Sequence, residues 1–216
     1  MIVGFDHLAL NFKSLKSARE FIKNNDYKVL FSESNIPNHK SKKKLINNYK
    51  NQHSLIYCQH KNGFKLELTI YGDNKNINFD SYQTNSNNPR NIIMLSNNLE
   101  DDLILMNEKC NFIKQLVNNN DYKLTLKTII SSLSCKIILK KSLLDLGTSK
   151  LDSIGYTCIA FLTTSLNEDM DQLGKFGAYD LSEAHTLKIN NKTLLIQMFR
   201  FPGGAIGELI QPLKKF

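Results

Sequence analysis

The stretch HLALNFKSLKSA, at residues 7–18, decides the fold because a related pattern occurs twice more along the chain. The second copy is NIIMLSNNLEDD at residues 91–102, and the third is CIAFLTTSLNED at residues 158–169. Each copy contains a short apolar strand, a polar residue, and then a leucine that begins an apolar stripe at helical spacing. Internal repeats of this kind predict a fold assembled from equivalent modules.

The polar residue in each copy suits the start of a helix. Ser14, Asn98 and Ser165 occupy the position where a side-chain oxygen accepts an unpaired helix N–H. Ser165 and Glu168 also have the spacing of a capping box. The apolar stripes that follow are typical of helix faces that pack against a core.

Strand-like runs follow each predicted helix. They are residues 27–32, 54–59 and 64–71 in the first module, 122–128 and 135–140 with a vaguer strand between them in the middle segment, and 185–189, 193–200 and 205–211 in the last module. Asn62-Gly63 is a strong hairpin signal. We therefore predict a first βαβββ module at 1–73, a degenerate middle module or insertion at 88–141, and a last βαβββ module at 152–216.

Four of these segments resemble the strands of one protein family. They are FDHLAL (residues 5–10), GFKLEL (63–68), YTCIAF (156–161) and PGGAIGELIQP (202–212). The chain resembles the vicinal-oxygen-chelate superfamily of glyoxalases, epimerases, extradiol dioxygenases and bleomycin-resistance proteins. The resemblance implies an α+β fold, in which repeated βαβββ modules form a curved, mostly antiparallel sheet around a cavity.

The resemblance also implies a metal site. In that family a first-strand histidine and a fourth-strand glutamate from each of two modules hold one divalent metal. Carried onto this chain, the metal ligands are His7, Glu67 and Glu208, and Glu67 and Glu208 are the candidate catalytic groups. Cys158 stands where the second histidine is expected, so it is either a weak fourth ligand or a small buried hydrophobic residue. The middle segment offers Asn91 and no ligand at the matching place.

The residue types support this interpretation independently. A carboxylate within an apolar strand is costly to bury unless it is paired or binds a metal, and both Glu67 and Glu208 adjoin leucine. One imidazole and two carboxylates suit a divalent ion such as Zn, Fe, Mn, Ni or Co. The leading hypothesis is a metal-dependent enzyme that enolises, isomerises or oxygenates a small substrate with vicinal oxygens. The alternatives are a metal-free binding or resistance protein of this fold and a degenerate structural relative.

Two pairings of the modules are open. The first and last modules can pair within the chain and gather all four candidate residues in one cavity. Neighbouring modules can pair instead, and a second chain, as in a homodimer, would then complete the site. We favour the first arrangement because it gives the polar residues partners.

The family resemblance implies a small-molecule substrate, and the charge and composition add no nucleic-acid partner. The net charge is +8, but no nucleic-acid motif accompanies it. The densest basic run, at residues 40–44, is interpreted as a solvated loop, with a phosphate-bearing or coenzyme A substrate as the alternative. His53, His60 and His185 are interpreted as surface or turn histidines, with a position facing the cavity as the alternative for each. No apolar run is long enough for a membrane helix, no signal peptide is apparent, and four scattered cysteines suggest reduced thiols, so we expect a cytoplasmic location.

Overall fold

The strands of the computed structural model form two sheets in the residues that it describes, which are 1–72, 82–85, 88–110, 112–118, 121–126, 135–142, 145–146 and 149–213. The first module contains β1 (Ile2–Asn11), α1 (Leu15–Asn24), β2 (Tyr27–Pro37), a 3-10 helix (Lys40–Leu45), β3 (Gln52–His60) and β4 (Lys65–Ile70). The middle segment contains β5 (Tyr82–Asn85), β6 (Asn88–Ser96), α2 (Leu99–Lys109), β7 (Phe112–Asn118), β8 (Asp121–Leu126) and β9 (Lys136–Lys141). The last module contains β10 (Gly155–Thr163), α3 (Leu166–Lys175), β11 (His185–Ile189), β12 (Lys192–Arg200) and β13 (Ile206–Leu213). Within these ranges, no helix is both long enough and apolar enough to cross a membrane.

The three helices begin at the predicted residues, but their caps differ. Ser14 and Asn98 each accept a backbone N–H with the side chain. Ser165 is also at an N-cap, yet its side chain makes no cap hydrogen bond, so the expected capping box with Glu168 is wrong. Gln211 of β13 instead accepts the first N–H of α3 at 2.8 Å. A neighbouring strand thus satisfies the Leu166 N–H, and Thr163 Oγ1 accepts the Ser165 N–H at 3.0 Å, the donor that a capping box would pair with Glu168.

The larger sheet joins the first and last modules. Its strand order is β11-β12-β13-β10-β1-β4-β3-β2. The two modules meet where β1 pairs antiparallel with β10. Only the pairs β1/β4 and β10/β13 are parallel among its described neighbours, so the sheet is mostly antiparallel.

This eight-stranded sheet curves until its two edges approach each other. Ile36 and Leu55, from β2 and β3 at one edge, share a buried cluster with Ile189 of β11 at the other edge. The backbone N–H of Asn190 donates to the Glu33 carboxylate at 3.3 Å across the same gap. The sheet is therefore nearly closed, and its concave face encloses a cavity.

The middle segment forms a sheet of its own, with strand order β5-β6-β9-β8-β7. Strands β6 and β9 are parallel, as β1 and β4 are. The order strand, helix and three strands is therefore present here as well. Strand β7, which the sequence patterns did not reveal, precedes β8, whereas the vaguer strand expected between residues 128 and 135 lies outside the described residues.

The middle segment packs on the outer side of the larger sheet. Met94 and Ile137 belong to the same buried cluster as Phe161. The Tyr82 hydroxyl donates to the Ile206 carbonyl at 2.6 Å. Asp102 of α2 is fully buried, and its Oδ1 accepts the Gly203 N–H at 2.9 Å. Polar bonds therefore tie the middle segment to the last hairpin.

Arg200 supports the same hairpin from inside. Its side chain is fully buried, with Nη1 donating to the Gly204 carbonyl at 2.8 Å and Nη2 to the Ser149 carbonyl at 2.5 Å. Its Nε donates to Asp180 at 3.2 Å. The guanidinium therefore holds together backbone segments that no strand pairing joins.

Candidate functional site

A cavity of about 380 Å³ lies between the first and last modules, within the size range of small-molecule sites. Apolar side chains from both modules form much of its wall: Phe31, Leu55, Leu162, Leu187, Leu194 and Ile196. The ionisable or hydroxyl-bearing groups of the lining are Asp6, His7, Lys42, His53, Tyr57, Lys65, Glu67, Lys192 and Glu208. The cavity is thus amphipathic.

A bulge in β1 brings two consecutive side chains to this cavity. Phe5 lies opposite Phe161 and His7 opposite Ala160, so Asp6 is an extra residue on β1. Two successive residues of a bulge can point to one face, against the usual alternation of a strand. Asp6 and His7 both line the cavity for this reason, and Asp6 Oδ2 lies 2.9 Å from His7 Nδ1.

The structure brings three predicted site residues together. His7 Nε2 lies 3.7 Å from Glu67 Oε2 and 3.8 Å from Glu208 Oε2. His7 is 2% exposed and Glu208 is 6% exposed, whereas the Glu67 side chain is 24% exposed. The imidazole thus has a carboxylate on its Nδ1 side and two on its Nε2 side.

The strand pairing relates these residues by an approximate twofold axis between β1 and β10. Glu67 is in register with Ala9, and Glu208 with Ala160, in equivalent parallel pairs. Ala9 in turn lies opposite Cys158. Cys158 is therefore the structural counterpart of His7.

Cys158 does not join the polar group. Its side chain is 2% exposed and belongs to an apolar cluster with Met198 and Ile206. Burial, with the negative charges of Glu208 and Glu67 adding to it, raises the pKa of the thiol well above its usual value. Its place in that apolar cluster favours the interpretation of Cys158 as a small buried hydrophobic residue.

Asp6 is the centre of a network that the sequence did not reveal. Burial works to raise the pKa of Asp6, but the hydrogen bond and charge of His7 and the charge of Lys65 hold it well below its usual value. The Tyr57 hydroxyl donates to Asp6 Oδ2 at 2.8 Å, and Lys65 Nζ lies 3.3 Å from Oδ1. Asp6 is therefore a fixed anion that sets the orientation of the His7 ring.

His7 and Glu208 also have strongly perturbed pKa values. Burial lowers the pKa of His7, but the hydrogen bond that His7 donates to Asp6 and the charges of Glu67, Asp6 and Glu208 outweigh it and raise the value to about 9. Burial and the neighbouring Glu67 raise the pKa of Glu208 to about 7, although Lys42 and His7 oppose this. Glu208 is thus poised to exchange a proton near neutral pH.

The donor set fits a divalent ion in its chemistry, with one imidazole and two carboxylates. Asp6 behind His7 supplies the outer-shell carboxylate that metal-binding histidines usually have. Ligand atoms around a tetrahedral ion at about 2.1 Å lie about 3.4 Å apart, slightly closer than the 3.7 and 3.8 Å found here. In the arrangement that the structure shows, no group of three or more His, Cys, Asp or Glu side chains in the described part of the chain could hold a metal ion.

Three expectations from the sequence are wrong. Lys42, from the basic run interpreted as a solvated loop, is only 6% exposed and lines the cavity, whereas Lys43 and Lys44 beside it are exposed. His53 and His185, interpreted as surface or turn residues, are 8% and 9% exposed. The reason is that the 3-10 helix and the two edges of the curved sheet fold over the cavity, which no local pattern indicates.

Comparisons with known proteins give structural likeness alone. No family model matches the chain, and no curated protein matches its sequence. Glyoxalase I from Zea mays aligns at 13% identity over 98% of this chain and 68% of its own, with a TM-score of 0.41. A putative dioxygenase from Bacillus subtilis aligns at 10% identity over 99% and 64%, with a TM-score of 0.43. An antibiotic-binding protein from a Streptomyces species aligns at 13% identity over 57% and 94%, with a TM-score of 0.40. The strand order itself, with two βαβββ modules joined through β1 and β10 around one cavity, gives this chain the vicinal-oxygen-chelate fold.

Proposed function

We propose that this chain is a metal-dependent enzyme of the glyoxalase, epimerase or dioxygenase type, acting on a small molecule with vicinal oxygens. The observation that carries the proposal is the convergence of His7, Glu67 and Glu208 in one cavity, at 3.7 and 3.8 Å from the imidazole Nε2. The same three residues would hold the ion, most simply Zn, Fe, Mn, Ni or Co. When bound, such an ion supplies Lewis-acid activation of a substrate oxygen.

The chain's own residues supply orientation and proton transfer. Asp6 holds His7 Nδ1, so that Nε2 faces the two glutamates. The glutamate of the pair Glu67 and Glu208 that the ion does not hold tightly can accept a proton from carbon next to a carbonyl and return it. The apolar wall excludes water from that exchange.

The experiment is a metal titration of the purified, chelator-treated protein by calorimetry, with separate runs for Zn²⁺, Mn²⁺, Ni²⁺ and Co²⁺. We expect one ion per chain for at least one of these metals. The variants His7→Ala and Glu208→Ala should weaken binding by about 100-fold or more, because each removes a ligand. Cys158→Ala and His60→Ala are matched controls that should bind as the parent does.

Two results would overturn the proposal. One is that the parent protein takes up no ion in any titration. The other is that His7→Ala or Glu208→Ala binds the ion as tightly as the parent while circular dichroism shows a folded protein.

A second candidate is a metal-free binding protein of the same fold, and one observation favours it. The site can balance its own charge, because the carboxylates of Asp6, Glu67 and Glu208 are matched by His7, Lys65 and Lys42 along the same cavity. This function predicts ligand binding by chelator-treated protein and no ion uptake, so the same titration separates the two candidates.

A further inference from the structure

Lys42 is the one cavity-lining lysine that the fold buries, and its burial calls for a partner. It is 6% exposed, on a 3-10 helix whose neighbouring lysines are exposed. Among the described residues, no ion pair within 4.0 Å includes Lys42. Burying a cation costs roughly several kcal/mol of free energy per ion, unless an anion or hydrogen-bond acceptors compensate for the lost water.

The other two lysines of the cavity differ from Lys42. Lys65 is bound to Asp6 at 3.3 Å, so its charge is already used within the polar network. Lys192 lies at the exposed start of β12. The charge of Lys42 acts on Glu208, but no ion pair within 4.0 Å joins Lys42 to a described residue, so a bound anion can pair with it directly.

His53, whose pKa Lys42 also lowers, has one ring nitrogen without a partner among the described residues, although the ring has a hydrogen bond with the Ile36 backbone. It is 8% exposed, lines the cavity, and stacks on Tyr71 with ring centroids 5.0 Å apart. Its Nδ1 is buried and has no hydrogen-bond partner in the described part of the chain. Buried nitrogens without partners are rare in folded proteins and commonly point to a missing ligand or water.

The charge of Lys42 is felt throughout this side of the cavity. Burial and then the charge of Lys42 lower the pKa of His53 to about 3, and the same two causes lower that of His185 to about 4. Both imidazoles are therefore neutral at physiological pH, and each can still donate or accept a hydrogen bond. The positive charge near these two imidazoles therefore comes from Lys42, and the imidazoles themselves add none.

We infer that the ligand of this cavity is an amphipathic organic anion, whose carboxylate or phosphate group is bound by Lys42 beside His53 and whose apolar body lies against the leucines and isoleucines of the wall. The inference rests on the proposed function only in taking this cavity as the substrate site. It adds a substrate class, because it names the group bound at Lys42, whose charge also lowers the pKa of Glu208 in the same cavity.

The apolar wall of the cavity is the reason to expect a hydrocarbon body on the anion. Leu55 and Leu162 come from the two modules, and Ile196 lies on β12. A fully hydrophilic anion would leave this apolar surface exposed to water. The binding free energy would then lack about 25 cal/mol for each Å² of apolar area that stays unburied. An anion with a hydrocarbon body satisfies both the cation and the wall.

The test uses three probes with the same eight-carbon tail: octanoate, octyl phosphate and octan-1-ol. Binding is measured by calorimetry on the full chain in the presence of chelator, so that the outcome is independent of any metal. We expect at least one of the two anions to bind about tenfold or more tightly than octan-1-ol, as a charged hydrogen bond provides. Which anion binds more tightly identifies the group.

The variant Lys42→Met should abolish this preference, and Lys43→Met, its exposed neighbour on the same helix, should retain it. Lys42→Met should also raise the melting temperature of the unliganded protein, because an apolar side chain replaces a buried cation. The preference of the parent protein decides the matter even if Lys42→Met fails to fold.

The inference is overturned if octan-1-ol binds as well as both anions, if none of the three probes binds, or if folded Lys42→Met keeps the anion preference. A protein that binds metal but shows no anion preference contradicts this inference alone. A protein that prefers anions but binds no metal contradicts the proposed enzyme alone.

Discussion

Replacing Asp102 by asparagine should change how stability depends on pH. Asp102 is fully buried in α2, and its Oδ1 accepts the Gly203 N–H at 2.9 Å. Burial raises its pKa from 3.8 to about 6, against the opposing hydrogen bonds of Ser96 and Gly203. At ~1.4 kcal/mol for each tenfold change in proton affinity, this shift corresponds to about 3 kcal/mol.

The sign follows from which state holds the proton more tightly. Because the folded protein has the higher pKa, it gains stability from protonated Asp102 below about pH 4 and loses that stability as the pH rises through about 6. About half of the loss, or about 1.5 kcal/mol, falls between about pH 5 and about pH 8. Asparagine keeps the shape, stays neutral and can still accept the Gly203 N–H.

Urea unfolding of the parent and of Asp102→Asn at these two pH values measures the effect. The variant's free energy of unfolding minus that of the parent should be about 1.5 kcal/mol larger at the higher pH than at the lower, because only the parent loses stability as the pH rises. Other titrating groups cancel in this difference. Glu108→Gln, which removes an exposed carboxylate from the same helix, should give a constant difference. A constant difference for Asp102→Asn as well would refute the reasoning.

Three further variants test other parts of the structure. Gly203→Ala should lower the free energy of unfolding by about 2 kcal/mol or more, since its Cβ would clash with the side chains of Ser96 and Asp102; thermal melting checks this. Arg200→Met should cost roughly 3 kcal/mol in urea unfolding, because buried carbonyls lose their donors, whereas an unchanged midpoint would contradict that role. Asp6→Asn should weaken metal binding about 10–100-fold without unfolding the chain, and unaltered affinity would remove Asp6 from its orienting role.

Much of the fold could be predicted because its signals are local. The strand of residues 5–10, the helix starts at Leu15 and Leu99, and the Asn62-Gly63 turn are all present in the structure. The repeat also indicated which strands are equivalent. Strand β7, at residues 112–118, was not predicted, and the structure pairs it with β8.

The candidate site was predicted less completely, for a physical reason. His7, Glu67 and Glu208 could be chosen because polar residues interrupt apolar strands. Asp6 could not, since strict alternation places it on the face opposite His7, and a bulge depends on the pairing of two distant strands. The burial of Lys42 likewise depends on how a short helix folds over a sheet and not on its neighbours in sequence.

The bulge at Asp6 has a consequence for how such a site can arise. Beyond it, the side chains of β1 exchange faces: Phe5 and Leu8 belong to one buried cluster although they are separated by an odd number of positions. One extra residue therefore creates an acid beside a histidine while the apolar side chains on both sides still reach the core. Deleting residue 6 would restore simple alternation and remove the acid, so the insertion or loss of one residue can install or erase a carboxylate–histidine pair in this scaffold.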